Sequence, residues 1–162
     1  MWPFKQIKDW FCFPEKKNSV AEIILYLPVG DLPSLWAYED KFLPYKADLD
    51  KDGKYDKLKE FQGADLTILQ GGGDCEDLAA FRSEIIRHWY GWESWHICFV
   101  FVVNGEYKGH DVDFFKRPDG SMGWNDGITY EGGYDAFVKQ NKAVGWEIWD
   151  FWMVNDMGEH IN

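Results

Sequence analysis

The chain has 162 residues, a formal net charge of −11 and a sequence pI near 4.7. That length supports one domain with a real core, and the acidic balance excludes nonspecific nucleic-acid binding, which needs clustered Lys and Arg against phosphate. Aromatic residues make up 19% of the chain, ten of them Trp, so much of that core must be aromatic. The three cysteines, Cys12, Cys75 and Cys98, are odd in number and widely spaced, which is not a disulfide framework. No CxxC or HxxxH spacing suggests zinc.

Residues 1–13 are aromatic and amphipathic, without the uninterrupted apolar segment of a signal peptide. Residues 1–19 are therefore expected to form an arm that docks on the domain itself, on a protein partner or on a membrane surface. Residues 20–162 are expected to form a single domain. No run approaches the ~20 apolar residues of a membrane span. Residues 20–26 are apolar and read as helix or strand. Pro28, Gly30 and Pro33 punctuate the chain, and residues 32–42 read as a helix ended by Pro44.

Residues 48–56 carry acids at loop positions one, three, five and nine, with Gly53 at six. Asp48, Asp50, Asp52 and Asp56, with the Lys54 carbonyl, are the front of an EF-hand-type calcium loop. The bidentate Glu of position twelve is absent, since Lys59 stands there. The expectation is calcium in a shortened loop, and no organic cofactor. Residues 61–69 lead on to a glycine run, with Leu66, Ile68 and Leu69 expected to pack.

Gly71-Gly72-Gly73-Asp74-Cys75 follows, then apolar residues Leu78, Phe81, Ile85 and Trp89 at spacings of three and four. That is a helical stripe with Asp74 as its N-cap. Cys75 is then in the first turn, where the macrodipole is expected to lower the thiol pKa. Residues 95–103 read as a strand, Asn104-Gly105 as a hairpin turn, and residues 106–115 as the returning strand. A third strand lies in 121–130, interrupted near Gly127. Residues 134–141 read as a short helix, and 145–154 as a last strand with Trp146, Ile148 and Trp152 on one face. A cysteine helix followed by an antiparallel meander is an α+β arrangement.

A thiolate needs a base, and the base needs an orienting group. His110 shares a strand face with Val112 and Phe114. Asn125 and Asp126 lie across the Asp119-Gly120 turn, where strand alternation lets only one of them face His110; Asp126 is preferred. The Cys75 N–H and the Gln70 side chain are candidate oxyanion donors. Cys98 and His96 sit in an apolar strand and are expected to be packing residues.

The run from Gly71 to Ala79, followed by a helix, a strand, a histidine strand and an Asp/Asn strand, resembles the transglutaminase-like cysteine peptidases of bacteria and their phages. The Gly-Asp-Cys-Glu-Asp core matches at residues 73–77, and residues 42–48 resemble the aromatic–Asp segment that precedes the nucleophile. The resemblance implies a papain-like fold with the cysteine helix packed on an antiparallel sheet. It implies Cys75 as nucleophile, His110 as general base, and Asp126 or Asn125 as the orienting residue. Some members bind calcium through acids beside the nucleophile, and Asp74, Glu76 and Asp77 match those positions. The implied activity is hydrolysis of a peptide or amide through a thioester. The alternatives are a transglutaminase-type acyltransferase, or a non-catalytic binding component on the same fold, such as part of a phage particle. The expected location is cytoplasmic or virion-associated.

Overall fold

The computed structural model describes residues 16–47, 63–155 and 161. The aromatic arm before Lys16, the acidic loop of residues 48–56, and Cys12 and His160 lie outside the described residues.

Helix α1 (Val20–Tyr26) begins at Ser19, whose hydroxyl accepts from the Glu22 N–H. Helix α2 (Leu32–Phe42) is capped by Asp31 and has Pro33 in its first turn, where the missing N–H costs nothing. Helix α3 (Ala64–Gln70) buries Ala64, Thr67 and Ile68. Leu66 and Leu69, expected to pack, are exposed. The three-and-four spacing of a helix puts 64, 67 and 68 on one stripe and turns 66 and 69 outward.

Helix α4 (Cys75–Tyr90) is the centre of the molecule. Its stripe of Leu78, Phe81, Ile85 and Trp89 is buried against Ile23, Leu35, Tyr38 and Ile68 of the other helices. Each such side chain contributes about 1.5–3 kcal/mol by leaving water. The opposite side of α4 carries Arg82 and Ser83 and lies on the sheet, where Ser83 and Ser94 hydroxyls meet at 2.7 Å.

The sheet is formed by β1 (Glu93–Val103), β2 (Glu106–Lys116), β3 (Met122–Asn125), β4 (Thr129–Glu131) and β5 (Glu147–Val154), in the order β4-β3-β2-β1-β5. All neighbours are antiparallel. Asn104 and Gly105 both have positive φ, a type I′ turn that matches the strand twist. The expected third strand is split at Gly127 into β3 and β4. Helix α5 (Tyr134–Ala143) then crosses the sheet, so the last strand joins β1 instead of extending the meander. Phe137 of α5 packs on Phe99, Phe114 and Trp124, an aromatic core on the face away from α4. The architecture is therefore α+β, with helices packed on a five-stranded antiparallel sheet.

One expectation fails in β5. Ile148 pairs with Phe101 and faces the aromatic core, while Asp150 pairs with Val100 and Trp152 with Cys98. The register shifts between Val100 and Phe101. Trp149 is the extra residue of a β-bulge, and one extra residue exchanges the two faces. Trp152 thus faces the α4 side and Ile148 the opposite one.

Candidate active site

The glycine run delivers Cys75 to the head of α4 by close packing. Gly71 ends α3 in the left-handed conformation. A Cβ on Gly72 would fall 2.2 Å from the Pro44 carbonyl oxygen, and one on Gly73 would fall 2.3 Å from an Asp77 carboxylate oxygen. The Lys46 N–H donates to the Gly73 carbonyl at 2.7 Å, and Lys46 Nζ to the Gln70 carbonyl at 2.8 Å. The loop is thereby tied to the segment after α2. The Gln70 side chain is exposed and lines neither cavity beside Cys75.

Asp74 is buried and closes a capping box. Its carboxylate accepts from the Glu76 and Asp77 N–H groups, and Asp77 reaches back to the Asp74 N–H. The Leu78 N–H goes to the Asp74 carbonyl. The Cys75 N–H is the first-turn donor that this cap does not take.

The thiol itself is not acidified. Burial, then the charges of Asp74, Asp111 and Glu76, push Cys75 up to about 12, while the Asp111 N–H turned toward the sulfur pulls it part of the way back. The expected macrodipole effect is overridden because the acids that favour the helix N-terminus also occupy its positive end. Asp74→Asn keeps a capping acceptor and removes a charge. Its Cys75 should alkylate about three- to tenfold faster than wild type at pH 8, read by mass spectrometry. Asp74→Ala should instead cost about 0.5–2 kcal/mol in urea denaturation. An unchanged alkylation rate in Asp74→Asn would remove Asp74 from this account.

His110 stands on β2, sharing its face with Val112 and Phe114, and meets Phe99 edge-on. Its Nε2 lies 3.1 Å from Asp126 Oδ1. That leaves Nδ1 as the ring nitrogen able to exchange a proton with a thiol. Burial would raise Asp126, but its hydrogen bond to His110 and the charges of His110 and Arg82 outweigh it and lower the carboxyl below its usual range. Asn125 turns the other way. Its Nδ2 donates to Asp113 Oδ2, and its Oδ1 accepts from the Thr129 hydroxyl at 2.8 Å. Asn125 thus holds the end of β3 from which Asp126 projects.

Two cavities meet at Cys75 and His110, and both residues line each of them. The larger, of about 480 Å³, is walled by Tyr45, Phe99, Gly109 and Trp152. The smaller, of about 280 Å³, runs past Tyr45, Arg82 and Asp126.

A second cysteine cluster lies behind the first. Cys98 is buried, with Sγ 3.0 Å from Asp111 Oδ2, and the same oxygen is 3.8 Å from Nδ1 of the fully buried His96. Burial and the Asp111 carboxylate push the Cys98 thiol up further than Cys75. By sequence pattern alone Cys98 and His96 are packing residues. Their polar partner Asp111 is directly across the β1–β2 ladder from Cys98, and alternation from the hairpin turn could have found it.

Arg82 was also missed. It forms a bidentate pair with Glu39, Nε to Oε2 at 2.9 Å and Nη2 to Oε1 at 2.5 Å, beneath Asp126. Asp113, fully buried nearby, is pushed up to about 7 by desolvation, against the pull of Arg82 and Asn125. Such a polar layer between helix and sheet has no local sequence signal, because its members come from separate elements.

Of the expected metal ligands, Asp48, Asp50, Asp52, Lys54 and Asp56 lie outside the described residues. Asp74 uses Oδ1 in the cap, and Glu76 lines the larger cavity. Among the described residues, no three His, Cys, Asp or Glu side chains converge as a metal would require. No helix among them is long and apolar enough to cross a membrane. No protein-family model matches the chain, and neither does any curated protein.

Proposed function

We propose that this chain is a cysteine hydrolase of the transglutaminase-like, papain-fold kind, cleaving a peptide or amide through a thioester. The observation that supports this reading is the single wall shared by Cys75 and His110, with Asp126 bonded to the far nitrogen of the imidazole. The Cys75 thiol passes its proton to His110, and sulfur bonds to the substrate carbonyl carbon as the C=O electron pair moves onto oxygen. The Cys75 N–H receives that oxyanion. Collapse breaks the C–N bond, and His110 returns the proton to the departing amine. Water then gives a proton to His110 and attacks the thioester. The carboxylic product leaves, and the sulfur regains its proton. An amine in place of water would make the same residues an acyltransferase. Asp126 orients the ring and stabilises the imidazolium.

A thiol held near 12 is neutral through the physiological range, so the proton transfer to His110 must accompany attack. Thiolate-driven alkylation should therefore climb about tenfold per pH unit without a plateau near neutrality. Wild type should add a faster component at pH 6–8 that His110→Ala lacks, by about tenfold or more. Coincident iodoacetamide profiles in the two proteins would end the catalytic reading. The raised thiol favours a second reading in that case, a non-catalytic binding component on the same fold.

Calcium is proposed from the 48–56 loop alone, and no step of the mechanism is routed through it. Melting temperature should rise with millimolar calcium over EGTA in wild type and stay level in Asp50→Asn/Asp52→Asn. Equal shifts in both proteins would dismiss the loop as the site.

A further inference from the structure

The hydrolytic steps leave a second thiol unused. Cys98 and Asp111 stand directly opposite each other on β1 and β2, so their side chains share one face of the sheet. The head of α4 brings Cys75 to the same place, and Cys75 and Cys98 open together into the larger cavity. One residue holds both sulfurs. The Asp111 N–H is turned toward Cys75, and Asp111 Oδ2 lies 3.0 Å from Cys98 Sγ. A negative charge on Cys75 is felt at Cys98.

The surroundings of Cys98 are those of a reacting thiol. Burial first, and then the Asp111 carboxylate, push the Cys98 thiol up, so it keeps its proton through the physiological range. Such a thiol attacks only if the proton leaves as the new bond forms. Asp111 is the acceptor in place. It is 1% exposed, and its Oδ1 has no hydrogen-bond partner among the described residues. A buried carboxylate oxygen left short of partners costs stability, and packing alone gives no reason to keep it. His96 Nδ1, 3.8 Å from Asp111 Oδ2, adds a third polar group to the same cluster.

We propose that Cys98 is a resolving thiol for Cys75 and closes a Cys75–Cys98 disulfide when a hydroperoxide oxidises the nucleophile. The Cys75 sulfur attacks a peroxide oxygen and the O–O bond breaks. The thiol proton goes out with the leaving hydroxide as water, the sulfur is oxidised to a sulfenic acid, and the peroxide is reduced. The Cys98 sulfur then attacks the Cys75 sulfur while its proton passes to Asp111. The S–S bond forms, the S–O bond breaks, and the departing hydroxide takes that proton and leaves as water. A small thiol reopens the bridge by two exchange steps and is itself left as a disulfide. The bridge silences Cys75 and keeps it from the sulfinic and sulfonic acids that a small thiol does not reverse. This chemistry is the same whether or not Cys75 turns over an amide.

The test treats the full chain with hydrogen peroxide, blocks the remaining thiols under denaturing conditions, and maps the cysteines by mass spectrometry. Wild type should yield a linked Cys75–Cys98 peptide that dithiothreitol separates. Cys98→Ser keeps a hydroxyl for Asp111 and should lose the linked peptide altogether. Its Cys75 should pass instead through a dimedone-reactive sulfenic acid to sulfinic acid. Asp111→Asn keeps the N–H at Cys75 and removes the proton acceptor, so its sulfenic acid should persist about tenfold longer or more. Wild-type protein without the linked peptide, whether Cys75 stays reduced or goes on to sulfinic acid, overturns the proposal even if neither variant folds. A folded Asp111→Asn that closes the bridge at the wild-type rate overturns it as well.

Discussion

Cys75→Ala is expected to reduce turnover by at least about 10⁴-fold while leaving the chain folded. Among the described residues the other cysteine, Cys98, is buried behind Cys75, and its thiol is pushed up further. His110→Ala should approach the same loss, since a thiol held near 12 cannot supply its own thiolate at neutral pH. Asp126→Asn should lower kcat by roughly 10²–10⁴-fold with the histidine still present. Asn125→Ala separates orientation from support. It deprives Asp113 and Thr129 of a partner, so its main cost should appear in the urea midpoint. The measurement is kcat and kcat/KM on the peptide amide that wild type cleaves fastest. Full activity in Cys75→Ala would refute the assignment outright.

Arg82→Met is expected to be the most destabilising single change, at about 3–5 kcal/mol in urea denaturation. It leaves the Glu39 carboxylate buried without its bidentate partner, and the two side chains are only 6% and 9% exposed. It also removes the cation that helps keep Asp126 ionised beside His110. Arg82→Met/Glu39→Gln should recover much of the stability, because neither charge is then stranded. It should not recover an activity that depends on Asp126. A loss below about 1 kcal/mol in the single variant would mean that water reaches Glu39 and the pair is not buried in solution.

What could be read from the residues alone was local. The α4 stripe, the Asp74 cap and the Asn104-Gly105 turn are each contained in a few consecutive positions, and each holds in the fold. The split of the third strand at Gly127 was legible for the same reason. What failed was set by distant partners. Glu39 and Arg82 are 43 positions apart, and neither announces a buried pair. The helix dipole points to a lowered thiol, but burial against the sheet, followed by the charges of Asp74, Asp111 and Glu76, raises it instead. Leu66 and Leu69 are apolar enough to be expected inside, but α3 presents only one stripe inward. The phase of β5 depends on a single unpaired residue, Trp149, that alternation cannot reveal. Without that bulge Trp152 would not have been placed beside Cys75 at all.

That same residue shapes the outer edge of the sheet. β5 is an outer strand of the sheet, and Trp149 and Phe151 are 66% and 45% exposed on it. A straight strand so decorated is a template for the edge of another copy, and aromatic rings would add to the attraction. The bulge bends the strand and breaks its hydrogen-bond register midway. No incoming strand can then pair along its whole length. Deleting Trp149 would straighten the edge, and the first symptom to look for is turbidity at concentrations where the wild type remains clear.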